Sequence, residues 1–188
     1  MTVYYTARAI YNESFNASAM SWNKYIEWSR LKQLTELISV DGMLNKLLIE
    51  PDRDNVEEWN YIVTDDLYET GFFTSLDYVL KKITNISAFN LLAVVIEPWQ
   101  CCKTVTIDQF SFIGYDLLDK DYNISALSNC SGFDETFLPS ELNQFGLIDE
   151  YDKAYDIQKR LLENNPEEHH ADTNVIALWR HNRIGRTS

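Results

Sequence analysis

The chain has 188 residues, with 29 Asp plus Glu against 16 Lys plus Arg, giving a formal charge of −13. At 45% hydrophobic and 13% aromatic it carries enough apolar material for one sizeable core, which excludes intrinsic disorder as its character. A pI near 4.5 argues against a nucleic-acid partner, because phosphate binding needs Lys and Arg to displace counterions.

The opening residues Met1 to Arg8 lack the basic start and apolar run of a signal peptide. The longest purely apolar run, Leu91 to Ile96, is six residues, against roughly 20 needed to span a bilayer. Three cysteines, Cys101, Cys102 and Cys130, are an odd set with two adjacent, which does not make a disulfide framework. The expectation is a cytoplasmic protein with no membrane partner.

In chain order, residues 2 to 11 place Val3, Tyr5, Ala7, Ala9 and Tyr11 on one side of a period-2 pattern, predicting a half-buried strand. Trp28, Leu31, Leu34, Leu37 and Ile38 are spaced for a helix over about 21–38, broken by Asp41-Gly42. Met43, Leu44, Leu47 and Leu48 suggest a short helical piece before Pro51. Trp59, Tyr61 and Val63 alternate as a second strand, followed by a turn-rich loop to Gly71. Thr74 and Asp77 have capping-box spacing ahead of a helix with Leu76, Val79, Leu80 and Ile83 on one face.

Phe89 to Ile96 is apolar on both alternating faces apart from Asn90, predicting a central strand covered on both sides. Val105 and Ile107 begin a further strand whose parity flips by Phe110 and Phe112, which calls for a bulge near Asp108-Gln109. Residues 119–148 read as irregular, with a short helix after Pro139-Ser140. A helix opening at Asp149 to Asp152 runs to about Asn164, with Ala154, Ile157, Leu161 and Leu162 as core candidates. Val175 to Trp179 reads as a late central strand, and 181–188 as a frayed tail. The sum is a single α+β domain over 1–188, a mostly antiparallel or mixed sheet of about five strands packed against three to five helices.

Glu167-Glu168-His169-His170-Ala171-Asp172 is the one dense cluster of metal-capable residues. Adjacent histidines point in opposite directions on an extended chain, and the i, i+4 histidine spacing of metal helices is absent. A solvated turn is therefore expected there, with no metal and no cofactor. Glycine-rich phosphate cradles are also missing. A cysteine hydrolase is the enzymatic alternative, with Cys130 as nucleophile, His169 or His170 as base and Asp172 or Asn174 as orienter. The pair Cys101-Cys102 is expected to pack at a strand edge.

The charge is unevenly distributed. Segments 51–80 and 111–150 carry −7 each, while the remainder carries +1. From these stretches Asp65, Asp66, Glu69, Asp116, Asp119 and Asp121, flanked by Phe72 and Phe73, make a candidate acidic face for a basic protein partner. Size and charge are those of the immunity proteins that neutralise toxins, an analogy of physical profile that no motif supports. The leading expectation is a non-catalytic protein-binding module; oligomeric state is open, with pairing through the strand at 2–11 as one possibility.

Overall fold

A computed structural model of the protein describes residues 1–15, 20–44, 71–83, 86–128 and 139–184. The alternating segment at the start forms β1 (Tyr4–Ala9). The two-faced apolar runs form β2 (Phe89–Ile96) and β4 (Thr173–His181), with β3 (Phe110–Asp119) between them in sequence. Three helices accompany them among the described residues: α1 (Trp22–Ser29), α2 (Leu76–Lys82) and α3 (Tyr151–Asn164). The strands make one antiparallel sheet in the order β1-β2-β4-β3, so the α+β class holds, with four strands among the described residues. The strand expected at Trp59 to Val63 and the helical piece at Leu47-Leu48 lie outside the described residues.

Both faces of the sheet are buried, as the paired apolar parities of β2 and β4 require. One face sets Ala7, Ala9, Leu91, Ala93, Val95, Tyr115, Leu117, Val175, Ala177 and Trp179 against Ala154, Ile157 and Leu161 of α3. The opposite face sets Leu92, Val94, Leu118, Ile176 and Leu178 against Ile38, Val40, Phe72 and Leu147. Leu162 and Leu80, expected inside, are instead exposed. Single bridges cover the sheet's outer strands. Tyr5 and Phe73 exchange backbone hydrogen bonds of 2.6 and 2.9 Å, which occupies the β1 edge there and leaves Tyr5 unable to pair with a second copy.

Local departures from the expected elements have physical causes. Helix α1 ends at Ser29 because Arg30 turns left-handed at φ 61°. Leu31, Leu34 and Leu37 still bury, but on irregular chain that crosses the sheet: these three join one core and Ile38 and Val40 the other. Helix α2 is capped by Ser75, whose Oγ accepts from Tyr78 N–H at 3.2 Å, one residue later than expected. Helix α3 opens from Glu150 with no side-chain cap. Val105 and Ile107 lie in a loop that turns at Gln109 (φ 65°).

The bulge falls between Phe112 and Gly114 rather than at Asp108-Gln109. It lets Phe110 and Phe112 share a face with Tyr115 and Leu117 despite their opposite parity. Gly114 takes φ 140° there, and a Cβ would stand 2.7 Å from Leu147 Cβ, so only glycine fits.

His181, assigned from sequence to the frayed tail, is the last residue of β4 and is buried, its ring edge-on to Phe110. Its Nδ1 accepts from the N–H groups of Arg183 (3.2 Å) and Ile184 (3.0 Å), which requires an unprotonated nitrogen. Burial first, and the Arg183 charge second, push its pKa below the usual histidine value. Since the folded state favours the neutral ring, the linked stability is present above the unfolded pKa of about 6.5 and is lost as pH falls through the lower folded value. Melting followed from pH 7 to pH 5 is expected to show this loss, and His181→Gln to remove that part of the slope.

Candidate functional site

The residues proposed from sequence separate into two groups. Asp116 sits in mid-β3 with no solvent exposure, and Phe72 and Phe73 are 1% exposed. None of the three can form part of an acidic outer face. Phe72 packs in the second core with the Arg8 guanidinium 5.5 Å above its ring. Asp65, Asp66, Glu69 and Cys130 lie outside the described residues.

Asp116 is buried because partners surround its carboxylate. Oδ2 accepts from Ser39 Oγ at 2.6 Å and Val40 N–H at 3.2 Å, and Oδ1 from Ser125 Oγ at 2.5 Å and Leu117 N–H at 2.9 Å. Asp41 does the same beside it, accepting from Ser125 N–H and Ser128 Oγ, both at 2.9 Å. Desolvation raises the Asp116 pKa above the usual carboxylate range, opposed by the Ser125, Ser39 and Val40 hydrogen bonds. The Arg8 guanidinium, fully buried, is brought down to about 10 by desolvation, against the pull of Asp41 and Asp116. This is a structural network. Asp116→Ala strands two hydroxyls and two backbone amides, so chemical denaturation is expected to show a loss of about 3 kcal/mol.

The second group converges. Asp119, the last residue of β3, pairs in register with Thr173, the first of β4. That pairing sets the 3₁₀ turn His169–Ala171, which leads into β4, beside the turn that leaves β3. His170 Nδ1 lies 2.7 Å from Asp119 Oδ2, and His169 Nε2 lies 3.5 Å from Asp121 Oδ2. Asp119 has no exposure, yet its Oδ1 accepts the N–H groups of Asn123 (2.8 Å) and Ile124 (3.1 Å). The carboxylate is thus fixed by backbone amides with Oδ2 turned to the histidine. Asp121, Glu167, Glu168 and Asp172 are exposed around this corner. Lys120 bonds Asn174 Oδ1 at 2.9 Å and lies 3.7 Å from Asp172.

Two expectations change here. Asp119 is a buried partner of His170 rather than an element of an exposed face. The carboxylate that orients His170 is Asp119, while Asp172, the orienter expected from sequence, faces Lys120. Sequence alone does not reveal this convergence, because Asp119 and His170 lie 51 positions apart and only the β3–β4 register brings them together. One signal does point Asp119 inward: it continues the buried parity of Tyr115 and Leu117.

Of the described cysteines, Cys101 is exposed and Cys102 buried. Burial pushes the Cys102 thiol up to about 11, with the Cys101 charge adding to it and the Tyr115 hydroxyl opposing. Thiol labelling at neutral pH is expected to modify Cys101 and to spare Cys102 until the protein unfolds. In the same experiment, Cys130 reacting no faster than a free thiol would end the cysteine-hydrolase alternative.

Among the described residues no helix is long and apolar enough to cross a membrane. Comparison with protein-family models, with curated proteins and with solved structures gave no match.

Proposed function

We propose that the chain is a non-catalytic binding module whose acidic corner receives a positively charged protein partner. The observation that carries this reading is the density of exposed carboxylates where β3 ends and β4 begins. Asp121, Glu167, Glu168 and Asp172 stand together there, with Lys120 the one lysine or arginine in 119–121 and 167–172. On and around α3, Lys153 and Arg160 meet Glu141, Lys159 meets Glu163, Arg160 meets Asp156, and Lys103 meets Glu150.

An acidic patch of this kind accelerates association with a basic partner and makes it salt-sensitive. Neutralisation of a basic toxin, in the manner of an immunity protein, is one form the reading takes. Phe72, Phe73, Asp116 and Asp119 drop out of the contact set because they are buried. The test is affinity capture with the wild-type protein and with a charge-reversed Asp121→Lys, Glu167→Lys, Glu168→Lys variant. A basic partner is expected with the first and at least tenfold weaker with the second, with a steep loss of association rate as salt rises. Equal capture by both, or capture of neutral or acidic proteins alone, would overturn the reading.

A further inference from the structure

We propose that Asp119, His169 and His170 form a binding site for a divalent transition-metal ion of zinc-like chemistry. Among the described residues these are the three metal-capable side chains whose ligand atoms all lie within 4.8 Å of one another. Two imidazoles and one carboxylate form a borderline donor set that suits zinc and its neighbours, and that discriminates against magnesium and calcium, which prefer all-oxygen shells. The inference does not depend on the protein-partner reading, since it concerns an ion bound by the isolated chain.

On extended chain, neighbouring histidines diverge, because successive side chains alternate. Here the pair sits on a 3₁₀ turn, where successive residues are rotated by about 120° rather than 180°. The two rings accordingly stand 5.2 Å apart between centroids at 82° to each other, on the same side of the turn as Asp119.

The carboxylate supplies the second observation. Asp119 is wholly buried, and its Oδ1 is held by two backbone amides, so Oδ2 is presented in a fixed direction. A pre-oriented, desolvated oxygen beside an imidazole is what a metal site needs and what a solvated turn lacks. His169 is exposed, with 65% of its side chain accessible, so it can move into place without disturbing the core. Asp121, 3.5 Å from His169, stands ready to orient that ring. Three protein ligands leave a fourth position of a tetrahedral ion for water or for a donor from a partner.

The test is calorimetric titration of the purified full-length protein with zinc chloride, and with magnesium and calcium chloride as controls. One zinc per chain, with no magnesium or calcium binding, is expected. His169→Ala and His170→Ala should each weaken zinc binding at least tenfold, and the double variant should abolish it. His169→Ala keeps the fold in view, since an exposed ring is removed; its melting temperature without metal should match wild type. Cobalt substituted for zinc should give visible d–d bands of tetrahedral intensity without a thiolate charge-transfer band, separating this site from capture by Cys101. No zinc binding at micromolar concentration, binding indifferent to both histidine substitutions, or a thiolate band would each overturn the proposal.

Discussion

A carboxylate in the middle of a buried strand is costly unless every lone pair is engaged, and the second face of this sheet is organised around meeting that requirement. Asp116 draws Ser39 and Val40 from one part of the chain and Ser125 from another onto β3. Asp41 then binds Ser125 and Ser128, closing the same set of groups from the other side. The segment carrying Ile38 and Val40 has no helical or strand ladder of its own to hold it down. Its hydrogen bonds to Asp116, and those of Leu37 and Ile38 to Tyr11 and Phe145, do so instead. The apolar layer over Leu92, Val94 and Ile176 is therefore positioned by a polar anchor.

On the other side of the sheet the anchoring comes through Glu97. It turns left-handed at the end of β2 (φ 47°), and its Oε1 accepts from Val175 N–H in β4 and from Gln158 of α3. Tyr151 and Tyr155 of α3 both donate to the carbonyl of Pro98 next to it. Helix, central strand and the β2–β3 loop are thus locked at one point. Both anchors are acidic side chains spent on backbone and hydroxyl donors. Asp116 is buried while Glu97 stays exposed, so only the first of these anchors takes its charge off the surface.

The elements legible in the sequence were those whose signal is local. Two-faced apolar runs gave β2 and β4, single-face periodicity gave α2 and α3, and alternation gave β1. What stayed hidden depends on distant partners. The spacing of Leu31, Leu34, Leu37 and Ile38 truly reports burial, but helical periodicity and a chain crossing between two cores leave the same trace over so short a run. The parity change in 105–117 demanded a bulge, yet only the closeness of Leu147 and Ile148 to Gly114 fixes where it falls. By residue type alone an acidic side chain belongs on the surface. Asp116 and Asp119 flank Leu117-Leu118, however, which bury toward opposite faces as β2 does, and that context places carboxylates inside when long-range donors exist. The His169–His170 corner illustrates the same limit, since its geometry comes from a turn type and a strand register and not from the residue types alone.

The position of β4 has a consequence for how the protein comes into being. It lies between β2 and β3, two strands that run parallel to each other and share no hydrogen bonds, although it is made after both. During synthesis the β1–β2 pair and β3 are separate, each exposing an unpaired apolar edge, until residues 173–181 leave the ribosome. The sheet then closes by insertion of a strand into a waiting gap, a step dominated by contacts between residues far apart in sequence. The nascent chain is accordingly exposed to misassembly until β4 has emerged.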